Sequence, residues 1–211
     1  MLDTSTLLAF VPAAIAVVLA PGPDTMFVLS RGLGGGRRAG LAAACGTATG
    51  VLVHTLAAVA GLSVLLQTSA LAYSLVKYVG AAYLAYLGIQ TLRDREGFEV
   101  ETDAVSGDGD PWAAYRRAVA INVSNPKVAV FVLAFLPQFV PAGTAAPVEM
   151  ASLGVVYAAL GLVYLGLLAV FASRARTLVA ESERLPTLLR GVSGAVLVGF
   201  AALLALETQH G

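Results

Sequence analysis

The sequence predicts an all-α integral membrane protein, in which six transmembrane helices form two inverted three-helix repeats with both termini outside. Of the 211 residues, 58% are hydrophobic and only 12% are charged, and the apolar residues are gathered into separate runs. An ordinary soluble domain carries roughly 25% charged residues. A helix needs about 20 consecutive apolar residues to cross a bilayer. Membrane-spanning helices therefore explain both the composition and its patterning.

Six apolar runs define the expected domain organisation. They occupy positions 7–29, 41–66, 71–92, 118–140, 150–172 and 188–206. A polar stretch at 93–117, rich in aspartate and glutamate, separates the first three runs from the last three. We therefore expect a single membrane domain over 1–211, made of repeat one at 5–92, a cytoplasmic acidic linker at 93–117 and repeat two at 118–207.

The arginines indicate how the helices are oriented. All of them lie in or beside the first, third and fifth loops, and the second and fourth loops have none. Because lysine and arginine are retained on the cytoplasmic side, these three loops are expected inside and both termini outside. With three spans in each half, the second half enters the membrane from the opposite side, which is the arrangement of an inverted repeat.

Proline breaks interrupt the first and the fourth run. Pro21-Gly22-Pro23 breaks the first, and Asn125-Pro126-Lys127 breaks the fourth. A proline lacks an N–H and crowds the carbonyl four residues earlier, so we expect the carbonyls of Val17, Leu19 and Asn122 to be freed. Ordinary kinks that serve only packing are the alternative. Paired breaks in corresponding spans of two repeats instead indicate a transporter binding site.

A charged residue stands at each break. Asp24 follows the first break and Lys127 closes the second. Each charge costs about 3 kcal/mol in a span, so both should face the interior of the helix bundle. An amino-acid zwitterion suits such a site, with its ammonium at Asp24 and the freed carbonyls, and its carboxylate at Lys127 and the helix N-terminus after Pro126. A structural ion pair between Asp24 and Lys127 is the alternative.

Two further residues are candidates for the site. His54 lies in the middle of the second run, and an imidazole can change its charge near physiological pH, which suits a proton relay. A histidine hydrogen-bonded to a neighbouring helix is the alternative. Asp24 and His54 are thus the candidates for proton coupling. Tyr83 offers a hydroxyl to a bound solute, although membrane tyrosines also serve in packing.

Several classes of function are not expected. The charges balance, with 13 Lys+Arg against 13 Asp+Glu, so no basic surface suggests a nucleic-acid partner. The sequence contains no phosphate-binding glycine loop and no HExxH or GxSxG motif, and two histidines are too few for a histidine-based metal site. We therefore expect no enzyme, no metal and no cofactor, and energy for transport would come from an ion gradient.

Four motifs resemble those of the lysine and homoserine/threonine exporters, the LysE/RhtB family. They are Ala-Pro-Gly-Pro-Asp at 20–24, the glycine–arginine stretch 34–40 followed by Gly46, Gly50 and His54, the pattern 80–88 with Tyr83, and Asn-Val-Ser-Asn-Pro-Lys at 122–127 continuing to 135–139. The resemblance runs nearly from end to end. It implies export of amino acids or close analogues across the cytoplasmic membrane by proton antiport, often by homodimers.

The hypothesis from sequence is thus a multi-pass secondary transporter that exports amino acids. Its expected partners are an amino acid, protons, the lipid bilayer and a second copy of the chain. Two alternatives remain: efflux of another small solute or a metal ion, or a non-transporting scaffold subunit. The residues expected to form the central site are Pro21, Gly22, Pro23, Asp24, Tyr83, Asn122, Asn125, Pro126 and Lys127, with His54 beside them.

Overall fold

A computed structural model describes residues 3–68, 70–93, 109–140 and 146–174, together with six single positions between 191 and 202. All regular elements of these residues are helical, which confirms the all-α prediction for this part of the chain. The helices are α1 Thr4–Leu19, α2 Pro23–Gly34, α3 Gly36–Thr68, α4 Ala70–Arg93, α5 Pro111–Val123, α6 Pro126–Val130 and α7 Ala146–Arg174. The last predicted span, 188–206, lies almost entirely outside the described residues, as do positions 94–108 of the predicted linker.

The first and fourth predicted spans are broken where the prolines stand. Helices α1 and α2 meet at 59°, and α5 meets the segment Pro126–Phe139 at 55°. In both cases a proline is the first residue after the break, preceded by an extended capping residue, Gly22 or Asn125. Beyond α6 the backbone continues as a π turn, Phe131–Phe135, and then a 3-10 turn, Leu136–Phe139. The predicted breaks are confirmed.

Helix length and hydropathy identify candidate spans among the described residues. Gly36–Gly61 within α3 and Ala146–Ser173 within α7 are long and apolar enough to cross a membrane. Each bent pair adds one more if it counts as a single span, so the described residues contain two to four candidate spans. Six spans, their arrangement as two repeats and the side of the termini stay predictions.

The first connection is shorter than the sequence suggests. A loop was expected over 31–40, but α2 continues to Gly34 and α3 begins at Gly36. Gly36 has a φ of 76°, a left-handed conformation that glycine adopts without steric cost. Likewise α5 begins at Pro111, within the stretch predicted as linker, because the Asp110 carboxylate caps the backbone N–H groups of Trp112 and Ala113 at 2.9 and 3.2 Å.

The two broken helices run antiparallel. At one end, a Cβ on Gly109, just before α5, would lie 3.0 Å from the carbonyl oxygen of Gly35, just after α2. At the other end, the ring of Phe10 near the start of α1 lies 5.2 Å from that of Phe139. The first connection and the described end of the third, at Gly109, are therefore neighbours.

Aromatic rings fill the end of the bundle near the start of α1. We call this the aromatic stack, and it consists of Phe10, Phe131, Phe135, Phe139 and Tyr157. Ring centroids of successive members lie between 4.6 and 6.3 Å apart, the spacing of favourable tilted and edge-to-face pairs. The stack thus closes this end of the bundle with apolar side chains.

Helix α3 is the central element, packed against α2, α5 and α7. Its approach to the neighbours is so close that side chains must be absent at some positions. A Cβ on Gly46 of α3 would overlap the carbonyl oxygen of Tyr115 in α5, and a Cβ on Gly154 of α7 would overlap Thr55. Small residues of this kind allow helix backbones to pack closely within a membrane.

We predict that Gly46→Ala destabilises the protein and that Gly61→Ala does not. The added methyl at position 46 meets backbone of α5, and such overpacking costs about 1–3 kcal/mol. A Cβ added at position 61, in the same helix, would meet no atom within 4 Å. Thermal unfolding of both variants in detergent measures the difference, and equal melting temperatures would contradict the close α3–α5 contact.

Candidate functional site

The two helix breaks meet at the centre of the molecule, between two apolar clusters. Asp24 lies in the first turn of α2, Asn122 in the last turn of α5, Asn125 caps α6, and Lys127 lies in its first turn. All four side chains are buried, with 6%, 0%, 2% and 8% of their surface exposed. The four polar residues that the sequence selected are thus brought together.

Asp24 binds the second break through one oxygen of its carboxylate. Its Oδ2 accepts hydrogen bonds from Nδ2 of Asn125 at 2.6 Å and Nδ2 of Asn122 at 3.1 Å. The carboxylate also stands at the N-terminus of α2, where the helix dipole favours a negative charge. Asp24 therefore ties the start of α2 to both sides of the α5–α6 break.

Lys127 binds the first break in return. Its Nζ donates to the carbonyl oxygen of Ala20 at 2.6 Å and to that of Val17 at 3.4 Å. Gly22 leaves the space for it, since a Cβ there would lie 3.2 Å from Nζ. The carbonyl of Val17 was predicted to be freed by the prolines, and it accepts a hydrogen bond from Lys127. The shorter hydrogen bond of Lys127 goes to the carbonyl of Ala20, which was not predicted from the sequence.

These two sets of bonds, from Asp24 to Asn122 and Asn125 and from Lys127 to Ala20 and Val17, are called the crossed contacts below. Among the described residues, Asp24 and Lys127 bind groups of the opposite break and do not bind each other. The direct ion pair considered as an alternative is therefore not formed. The freed carbonyls were also expected to bind the ammonium of a substrate. In the structure the carbonyls of Val17 and Ala20 are bound by Lys127 instead.

His54 binds the carbonyl of Asn122, which also accepts from the backbone N–H of Asn125 at 2.9 Å. Its Nε2 lies 3.1 Å from the backbone oxygen of Asn122, four residues before Pro126. The half-buried imidazole thus forms the interhelical hydrogen bond that was the alternative to a relay role. Gly50, one turn earlier in α3, makes room for the Asn122 side chain, because a Cβ there would lie 2.5 Å from Asn122 Oδ1.

A small cavity lies beside the crossed contacts. Its volume is about 30 Å³, enough for a water molecule or two. Its lining combines polar residues with apolar ones and a tyrosine. The polar lining residues are Asp24, Thr25, Thr47, Asn122 and Lys127, and the others, called the apolar wall below, are Val18, Val51, Val128, Tyr157, Gly161 and Leu165.

Thr25, Thr47 and the apolar lining residues were not predicted from the sequence, whereas Tyr157 is one of the tyrosines within the predicted spans. One signal was available for Thr47, which lies seven residues before His54 and therefore on the same face of α3. Tyr83, by contrast, was selected but does not line the cavity. It is half-buried on α4, with its ring centroid 6.2 Å from that of Tyr86. Its role at the site stays a prediction.

Paired broken helices around a buried polar site define a helical membrane protein of the transporter class. A sequence model of the LysE type translocators matches residues 15–208, so the chain belongs to this family. The resemblance found in the motifs is confirmed, and the protein is a transporter and not an enzyme.

Curated relatives agree with the family. A leucine efflux protein of Salmonella typhimurium is 32% identical over 203 residues, covering 93% of this chain and 92% of that protein. One of Klebsiella pneumoniae is 31% identical over 204 residues, covering 94% and 93%. An uncharacterised membrane protein of Vibrio cholerae is 40% identical over 139 residues, covering 66% and 67%. No solved structure matches significantly.

We predict that Asn125→Ala destabilises the protein by about 1–3 kcal/mol, because it removes both the cap of α6 and a donor to the Asp24 carboxylate. Asp110→Ala is the matched control, since it removes only the exposed cap of α5, worth about 1 kcal/mol. Thermal unfolding in detergent compares them. A loss at Asn125 no larger than at Asp110 would show that the bond to Asp24 adds no stability.

Proposed function

We propose that this protein exports neutral aliphatic amino acids, leucine among them, across the cytoplasmic membrane in exchange for protons. The observation that carries the proposal is the cavity, in which the buried charges of two broken helices face an apolar wall. Membership of the LysE type translocators and the leucine efflux relatives support it. Six spans in two inverted repeats, with both termini outside and dimers in the membrane, complete the proposal.

The polarity of the cavity suits an α-amino acid with an apolar side chain. The ammonium belongs at Asp24, the carboxylate at Lys127, and the side chain against Val51, Val128 and Leu165. Gly161 extends this wall without filling it, since a Cβ there would meet no atom within 4 Å. A charged side chain against the same wall would be buried without a partner, which is costly. Neutral aliphatic substrates are therefore favoured over lysine or glutamate.

Substrate binding must enlarge the site. A volume of about 30 Å³ holds a water or two and is smaller than any amino acid. The carboxylate of the substrate competes with the carbonyls of Ala20 and Val17 for Lys127. Loss of the hydrogen bonds from Lys127 to these carbonyls would then loosen the contact between the two broken helices. Movement of one repeat against the other gives alternating access.

Proton exchange is assigned to Asp24, with His54 as a second group. A buried carboxylate at membrane depth is a common element of proton pathways in transporters. Asp24 would bind a proton when the amino acid has left and lose it when the ammonium returns. His54 could pass the proton to or from the site through its position beside Asn122. A metal ion is a weaker candidate, since the described residues hold no group of three or more His, Cys, Asp or Glu.

We predict that Asp24→Asn and Lys127→Ala each lower leucine counterflow in proteoliposomes by about tenfold or more, since each removes the charge that binds one end of the zwitterion. Asp3→Asn, an exposed acidic residue before α1, should leave counterflow unchanged. Counterflow of labelled leucine, isoleucine, lysine and glutamate gives the selectivity. Unchanged leucine flux in both site variants would refute the assignment of the site.

We also predict that acidification on the side opposite to the loaded amino acid accelerates leucine movement in the wild type. His54→Gln keeps a donor for the Asn122 carbonyl and should retain counterflow, so its response to the pH gradient isolates a relay role. Loss of that response assigns the relay to His54. A full response in this variant restricts His54 to its structural hydrogen bond, and a wild type insensitive to the gradient refutes proton antiport.

A further inference from the structure

Three buried oxygen atoms around the cavity have no hydrogen-bond partner. They are Oδ1 of Asp24, Oδ1 of Asn122 and Oγ1 of Thr47. Their residues are 6%, 0% and 5% exposed, and all three line the same cavity. Buried polar atoms in folded proteins are nearly always paired, because each unpaired one costs about 1–3 kcal/mol. Three of them around one small space indicate that a ligand completes the hydrogen bonding.

The chemistry of these atoms defines the ligand. Nδ2 of Asn122 donates to Oδ2 of Asp24, which leaves Oδ1 of both residues as pure acceptors. Of the three unpaired atoms, only the hydroxyl of Thr47 can donate. Two are therefore pure acceptors and one of these belongs to a carboxylate, so a group that binds all three must bring donors, and a positive charge suits it.

We propose that Asp24 Oδ1, Asn122 Oδ1 and Thr47 Oγ1 together bind the primary ammonium of the exported amino acid, one oxygen for each N–H. This inference rests on the proposed function and adds to it a third element, α3, through Thr47. We call the three oxygens the ammonium seat. An ammonium group is also small enough for a space of about 30 Å³, while the rest of the amino acid requires the opening described above.

An alkali cation fits the seat less well. A metal ion bound by oxygen ligands takes about six or more of them in sites such as those of calcium. Here the additional oxygens closest to the breaks are already bound, the carbonyls of Val17 and Ala20 by Lys127 and that of Asn122 by His54. The unpaired buried oxygens at the cavity are three, which is the number that a primary ammonium can use.

The seat has a consequence for selectivity. A site built to bind N–H groups leaves its own oxygens unpaired when an analogue lacks them, and rejects that analogue strongly. The 2-hydroxy analogue of leucine, 2-hydroxy-4-methylpentanoate, has no ammonium and adds no bulk. The ratio of the half-inhibitory concentrations of this analogue and of leucine therefore reports on the seat, without a steric contribution.

The test is inhibition of labelled leucine counterflow in proteoliposomes by leucine and by its 2-hydroxy analogue. Thr47→Val removes the hydroxyl at nearly constant volume and should lower the ratio by about tenfold, the value of a hydrogen bond to a charged group. Thr47→Ser should restore it. Thr49→Val is the matched control, because the Thr49 hydroxyl donates to the Cys45 carbonyl, accepts from the Tyr115 hydroxyl and does not line the cavity.

Each result decides the inference. A ratio lowered in Thr47→Val alone supports the seat. A ratio equal to that of the wild type refutes it and leaves only hydration of the cavity, and flux that depends on sodium through Thr47 assigns the oxygens to an alkali ion instead. If the wild type shows no leucine flux, the proposed export of leucine is refuted, but the ammonium seat is not. Thermal stabilisation by leucine, present in the wild type and weakened in Thr47→Val, would still support the seat, and its absence refutes both proposals.

Discussion

The crossed contacts are the interaction on which the rest of the structure depends. Prolines free carbonyl groups inside two helices, and buried backbone polar groups at membrane depth need partners from the protein or from water. Here the partner comes from the opposite break, with the Lys127 ammonium on the carbonyl of Ala20 and the Asn125 amide on the Asp24 carboxylate. Each break thus supplies hydrogen bonds to polar groups of the other.

This reciprocity also explains how two buried charges persist without pairing directly. A buried charge is tolerated when hydrogen bonds replace its hydration, and each charge here has two. One carboxylate oxygen is left over, and its residue lines a small cavity together with Asn122 and Thr47, which also carry unpaired oxygens. The hydrogen bonds between the two breaks therefore use some of the polar atoms of the site, and the atoms that remain unpaired determine which ligand it can bind.

Local chemistry made the breaks and their charged residues predictable from sequence. Proline restricts the backbone wherever it occurs, and an aspartate or lysine within an apolar run is conspicuous. The partners were harder to predict, because the Ala20 carbonyl carries no signal in the sequence and is bound only when the two breaks meet, while Thr47 is marked only by its spacing from His54. The prediction of a loop between the first two runs was wrong for a similar reason. A run of glycines suggests a loop, while a single left-handed residue, Gly36, reverses the chain at once.

The aromatic stack has an electrical consequence. Its rings run from Tyr157 at the cavity through Phe131 to Phe10 and Phe139 at the end of the bundle, and the Tyr157 hydroxyl is the polar group that these rings carry. An apolar constriction excludes water and does not conduct ions. In the exporter proposed above, a charge that passed the rings would cross part of the membrane field, and the full field is worth about 2.3 kcal/mol per charge for each 100 mV.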